Sequence, residues 1–169
     1  VSGCAGTGKK AQTAATESPQ LVLSKGNDFY VYEYMDRHYV VGSEETSSKF
    51  AGAGHLPLTY TVLGAGPHGE TVVYEVAKKD PALTERLMET YEATPFLVES
   101  RGDDYSVFKT HGRLYVVGDA KRKQSFAEHG HMPYSKAVLG AGPAGETVVF
   151  QVDTKDPKLQ ERLMAEFAK

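Results

Sequence analysis

Shifting the chain by 76 positions lays residues 18–93 over residues 94–169 without an insertion, and 37 of the 76 aligned pairs are identical. "HYVVGS" at 38–43 meets "LYVVGD" at 114–119, "GHLP" at 54–57 meets "GHMP" at 130–133, and "KDPALTERLM" at 79–88 meets "KDPKLQERLM" at 155–164. A duplication of this kind removes most folds from consideration, because whatever 18–93 forms must be formed again by 94–169. A chain of 169 residues has room for two small units, but two copies are too few for a solenoid array. The sequence therefore predicts two homologous lobes packed about a pseudo-twofold axis, like a homodimer joined into one chain.

Each unit reads as mainly antiparallel sheet followed by a helix. "QLVLS" at 20–24 suggests a short strand, and the aromatic and β-branched runs 28–35 and 38–42 suggest a hairpin turning at Asp36-Arg37, or Gly112-Arg113 in the second copy. Residues 43–55 are small and polar, a loop or brief helix. Strands are expected at 58–63 and 71–76. In the latter, Val72, Tyr74 and Val76 alternate with Thr71, Val73 and Glu75, which predicts one face in the core. Asp80 is placed as the cap of the closing helix and Pro81 as its first residue. The helix then carries Leu83, Leu87, Met88 and Tyr91 on one stripe, matched by Leu159, Leu163, Met164 and Phe167. The expected unit is β-β-β-β-α, an α+β arrangement with the helix over one sheet face.

Gly64, Gly66 and Gly69 fall in the G-x-G-x-x-G spacing of a dinucleotide loop. That loop needs a helix directly after it, because the pyrophosphate rests on the helix N-terminus. Here "ETVVYEV" follows, which is β-branched and alternating. Pro67 and Gly69 instead suit the second and fourth positions of a type I turn closing a hairpin, so no nucleotide is expected. "GCAGTGKK" at 3–10 approaches a phosphate loop, but Lys10 stands where the magnesium-holding hydroxyl residue belongs.

Candidate functional side chains are few. His55 and His131 occupy equivalent positions, and a pseudo-dyad would offer both imidazoles to one metal or haem iron, with His129 and Met132 adding soft ligands in "HGHM". Against this stand descent from one ancestral unit and a purely local role for the ring in its loop. Arg37 and Arg113 at the hairpin tips are candidates for an anionic group, or simply solvated tip residues. Tyr30, Tyr32 and Tyr34 form an aromatic row on one strand face, either a stacking platform for a ligand or packing. "RGD" at 101–103 matches "KGN" in the first copy and suits a turn. Neither a G-x-S-x-G elbow nor an H-E-x-x-H helix occurs, which weighs against an enzyme; a cleft lined by Glu70, Glu146 or a histidine would reopen the question.

Charge and the first residues place the chain. A net charge of −3 with no basic patch gives no footprint for nucleic acid. No apolar run approaches the roughly 20 residues that span a bilayer. "VSGC" at 1–4 resembles the end of a bacterial lipobox, in which the signal peptidase cuts before a cysteine that then carries diacylglycerol. The resemblance implies acylation at Cys4, the single cysteine, and an extracytoplasmic, membrane-anchored protein. Ala5 in place of aspartate implies the periplasmic face of the outer membrane where the host has one. Residues 5–19 are small, polar and aperiodic, as a tether would be. The resulting organisation is 1–17 anchor and tether, 18–93 first unit, 94–169 second unit. Two functions fit it. One is a lipoprotein with a binding or structural module for a small ligand or envelope protein; the other is a metal- or haem-binding protein using His55 and His131.

Overall fold

The computed structural model describes residues 17–102 and 105–169, and each repeat builds the same seven elements in the same order. The first unit comprises β1 (Gln20–Lys25), β2 (Phe29–Tyr34), β3 (Arg37–Val41), α1 (Glu44–Ala53), β4 (Thr59–Val62), β5 (Thr71–Glu75) and α2 (Leu83–Ala93). The second comprises β6 (Phe96–Ser100), β7 (Ser106–Thr110), β8 (Arg113–Val117), α3 (Ala120–His129), β9 (Ser135–Val138), β10 (Val148–Gln151) and α4 (Leu159–Phe167). The fold is α+β, two tandem homologous units each closed by a C-terminal helix on its sheet. Each has its own five-stranded sheet, ordered β1-β2-β3-β5-β4 and β6-β7-β8-β10-β9. The β3–β5 and β8–β10 pairs are parallel and the other pairs antiparallel, because the chain leaves the sheet through α1 or α3 before returning.

The five strands lie at the five segments read as strands, one more than the β-β-β-β-α string counts, and residues 43–55, expected as a loop or brief helix, contain the additional helix. Residues 44–53 form a ten-residue helix, capped by the Ser43 hydroxyl, which accepts from the Thr46 N–H, and ended by Gly54 in the left-handed region at φ 63°. Asp119 and Gly130 do the same for α3. These helices bury little: Phe50 and Ser47 in α1, Phe126 in α3. They nevertheless cover the second sheet face, so alternation along β5 does not mark one wet side: Val72, Val73 and Tyr74 are all buried. On one face Phe29, Val31, Val40, Val72 and Tyr74 pack beneath Leu83, Leu87 and Tyr91 of α2. On the other, Tyr32, Val41, Phe50 and Leu56 pack with Tyr30, Tyr34 and Tyr39 around them. Each large apolar side chain so buried contributes roughly 1.5–3 kcal/mol, and the second unit repeats both clusters.

Local chemistry differs from expectation at two junctions. The β2–β3 turn residues are Met35 and Asp36, both at positive φ (51° and 55°), and in the second unit His111 and Gly112 (50° and 68°). This is the mirror-image turn that matches strand twist, and it makes Arg37 and Arg113 the first residues of β3 and β8. Asp80 is not the side-chain cap of α2, whose N-cap position is Ala82. The Asp80 carboxylate instead pairs with Arg86 at 2.6 Å, as Asp156 does with Arg162 at 2.8 Å.

The units meet through different faces. Phe96 of β6 packs on the first unit's core, its ring 4.8 Å from Tyr91 and 5.8 Å from His38. Lys25 Nζ donates to Thr94 Oγ1 at 2.7 Å, and the Glu92 carbonyl accepts from the Thr110 hydroxyl and the His111 N–H. A twofold axis would pair each patch with its own image, so that Gln20 met Phe167 and Arg101 met Ser18. Among the described residues no hydrogen bond joins Arg101 to Ser18, the groove that Phe167 lines does not include Gln20, and exposure is unequal: Pro67 is buried at the junction while its counterpart Pro143 is exposed. The packing is head to tail, the later-strand end of one unit on the first-strand end of the next.

Candidate functional site

The glycine-rich loop does form a hairpin corner. Gly69 N–H donates to the Gly66 carbonyl across Pro67 and His68, Gly66 N–H donates to the Glu70 carbonyl, and β4 and β5 pair antiparallel on either side. His68 keeps negative φ, as a type I turn requires. Glu70 folds back under the corner, where its carboxylate accepts from the His68 N–H at 2.8 Å. Burial raises its pKa, but the backbone N–H groups of Glu70 and His68 outweigh that and hold it below the ordinary carboxylate value. Gly66 is required by close approach, since a Cβ there would lie 2.3 Å from the Glu70 carboxylate.

In the first unit this corner does more than turn the chain. Together with the end of α2, the start of β6 and the β7–β8 turn, it walls a cleft of about 470 Å3 between the two units. The floor is apolar, formed by Tyr74, Met88, Tyr91 and Phe96, and the mouth carries Glu92, Lys109 and His111. Beside it His38 is buried, with Nδ1 2.6 Å from the Tyr91 hydroxyl. Burial holds the His38 imidazole below its usual pKa; the charges of Glu70 and Glu33 oppose this, and that of His68 adds to it. Burial likewise raises the Tyr74 and Tyr91 hydroxyls far above the ordinary tyrosine value, so both are neutral. His68 joins the corner to the second unit, its Nδ1 3.1 Å from Glu70 Oε1 and its Nε2 3.1 Å from the Val98 carbonyl.

The residues singled out in the sequence lie elsewhere. His55 and His131 are exposed, each directly after the left-handed glycine that ends its helix, and no hydrogen bond or ring contact joins them. His129 Nδ1 lies 3.1 Å from the Ser125 carbonyl one turn back, and Met132 packs against the Phe108–Phe126 cluster. Among the described residues no three His, Cys, Asp or Glu side chains gather as a metal would need. Arg37 and Arg113 are exposed on opposite units. The tyrosine row lies beneath α1. Tyr32 is buried with its hydroxyl 2.7 Å from Ser47 Oγ, and Tyr30 and Tyr34 are half-buried beside it. Tyr32 therefore offers no face to a ligand; Phe50 stands edge-on to it at 5.4 Å. Cys4, the tether as far as residue 16, and Asp103 of the "RGD" triplet lie outside the described residues.

His38, Tyr91, Phe96 and Lys109 went unremarked as site residues. Divergence between the copies was the available signal, because these positions read Leu114, Phe167, Gln20 and Glu33 in the other unit. Residues that differ at equivalent positions are those whose surroundings differ. The chain matches no protein-family model, no curated protein and no solved structure.

Proposed function

We propose that the protein is an extracytoplasmic lipoprotein, anchored through an acylated Cys4, whose duplicated body is a binding module with its ligand site in the inter-unit cleft. The observation that carries this reading is the cleft: its volume of about 470 Å3 lies within the usual range for small-molecule sites, roughly 300–1,000 Å3. An apolar floor with a few polar groups at the mouth suits a small, mainly apolar molecule bearing an acidic group, set toward Lys109. No described helix is long and apolar enough to cross a membrane, and the reading takes attachment from the lipid alone.

Anilinonaphthalene sulfonate, an apolar ring system with one anionic group, serves as the probe. Saturable 1:1 fluorescence enhancement is expected, weakened at least fivefold by Ala65→Trp, which fills the mouth, and by Lys109→Gln. Ala141→Trp, the same change in the other unit, should leave it unaltered. Absence of enhancement, or equal binding by all variants, contradicts the cleft reading. For the anchor, palmitate incorporation in a bacterial host should occur in the wild type and vanish in Cys4→Ser; an unlabelled wild type contradicts it.

A further inference from the structure

The glycine-rich corner closes without a histidine. In the second unit the position of His68 is Ala144, yet Glu146 folds back in the same way. Its carboxylate accepts from the Ala144 N–H at 2.8 Å, and the Gly145 N–H donates to the Gly142 carbonyl. The imidazole of His68 is therefore surplus to the turn, and both of its nitrogens are engaged. Nδ1 lies 3.1 Å from Glu70 Oε1, and Nε2 lies 3.1 Å from the Val98 carbonyl of β6, in the other unit. Each of these partners can only accept. The N–H groups of the corner hold Glu70 as a carboxylate, and a carbonyl oxygen carries no proton. A neutral imidazole has one N–H and one lone pair, so it makes one of the two bonds while its lone pair faces the second oxygen. The imidazolium, with two N–H groups, makes both.

We infer that His68 is a proton-set clasp across the junction: as an imidazolium it donates at once to Glu70 of the first unit and to the Val98 carbonyl of the second, and on losing a proton it lets go of the second unit. When Nε2 gives up its proton to water, the remaining N–H stays on the carboxylate, the stronger, charge-assisted acceptor. A lone pair is then left against the Val98 carbonyl. The groups around the ring are compatible with this role. Glu70 meets it from its own corner; Glu99, next to Val98 on β6, is taken up by Arg101. From β3 comes the field of His38, which also feels Glu33 of β2; its Nδ1 faces the Tyr91 hydroxyl of α2, and burial disfavours its charged form. Glu92, Lys109 and His111 stand at the cleft mouth. The two histidines of the junction thus divide the work: His38 is a buried neutral ring, and the exposed His68 takes the proton. Because the clasp completes itself only on protonation, its stabilisation is full at low pH and is lost as pH rises through the histidine range. The corner is one wall of the cleft, so acid fixes that wall and alkali frees it. The device belongs to the junction itself and stands whether or not the cleft takes a ligand.

The test follows the labelled full chain by nuclear magnetic resonance at pH 5.5 and pH 8. At pH 8 the ring nitrogen shifts of His68 should show the proton on Nδ1 and a bare Nε2; at pH 5.5 both nitrogens should carry protons. The Val98 carbonyl carbon should shift in step with the ring between the two, and His68→Ala, which copies Ala144, should remove that shift. Stability is compared in the background of His38→Leu with Tyr91→Phe, the pair found at Leu114 and Phe167, so that no buried histidine of the junction titrates. There His68→Ala should raise the urea unfolding constant about fivefold more at pH 5.5 than at pH 8, as one charge-assisted bond at an exposed site would. A proton on Nε2 at pH 8, a Val98 carbonyl that does not follow the ring, one that shifts equally in His68→Ala, or an equal loss of stability at both pH values would each overturn the proposal. No ligand is added in any arm, so a failure here leaves the cleft as a binding site untouched.

Discussion

The two units solve one anchoring problem in two ways, and mixing the solutions should be costly. After β3 the Gly42 N–H donates to Glu75 Oε2 at 2.7 Å, and the Thr46 hydroxyl donates to Glu75 Oε1. In the second unit Gly118 N–H donates to Gln151 Oε1 at 2.8 Å, and Gln151 Nε2 donates to Asp119 Oδ2 at 2.9 Å. Where the helix cap is serine the partner is glutamate; where the cap is aspartate the partner is an amide. Gln151→Glu would set two carboxylates about 2.9 Å apart at a buried position. At an effective dielectric of about 20 their repulsion is roughly 6 kcal/mol. Taking up a proton from a carboxyl of ordinary pKa near 4.3 costs about 1.4 kcal/mol per pH unit, hence about 4 kcal/mol at pH 7. Protonation is the cheaper route. A protonated carboxyl donates to Asp119 and accepts from Gly118 just as the amide did, so below pH 4.3 the variant should match the wild type. The new group's folded pKa is raised above its unfolded value. Its stability relative to wild type is therefore intact at low pH and lost as pH rises, by about 1 kcal/mol at pH 5 and about 4 kcal/mol at pH 7. Urea denaturation followed by circular dichroism at the two pH values measures the difference. Adding Asp119→Asn should remove most of the deficit at pH 7. A deficit equal at pH 5 and pH 7, or none at pH 7, refutes the reasoning.

Three further substitutions probe the junctions. His38→Leu strands the buried Tyr91 hydroxyl and should destabilise by about 1–3 kcal/mol, while His38→Leu with Tyr91→Phe, the pair found at Leu114 and Phe167, should recover most of it. Because burial lowers the His38 pKa, wild-type stability should fall as pH drops below about 6.5 toward the folded value, and that part of the pH dependence should be absent from the double variant in parallel urea titrations. Gly118→Ala places a methyl 2.7 Å from Leu159 Cδ1 and 3.1 Å from Leu163 Cδ2 in a closed core, so thermal denaturation should show a loss of about 1–3 kcal/mol. Asp36→Gly, copying Gly112 at a positive-φ turn, should be neutral or stabilise by up to about 1 kcal/mol by the same measurement.

Much of the unit was legible from periodicity. The stripe Leu83, Leu87 and Tyr91 is buried where a 3.6-residue period puts it, and the corner at Gly66–Gly69 is the turn its proline and glycine specify. Helix α1 was legible only as the alternative to a loop over 43–55, because only Phe50 and Ser47 of its ten residues are buried and it has almost no apolar period; its caps, Ser43 and Gly54, were the readable trace. The mode of docking was not legible, since sequence identity between the halves says that the units are alike and nothing about which faces meet. The site followed from the docking. Shared residues such as His55 and His131 reflect common descent and stay on the surface, whereas His38, Tyr91 and Phe96 are used where the copies differ.

The head-to-tail junction is the point on which the cleft depends. Nuclear Overhauser contacts between aromatic protons of the full chain in solution report it directly. Cross-peaks from the Phe96 ring to Tyr91 and to His38 are expected, at ring separations of 4.8 and 5.8 Å, with none between Gln20 and Phe167. Matched cross-peaks in both directions, or none from Phe96 to the first unit, would contradict it.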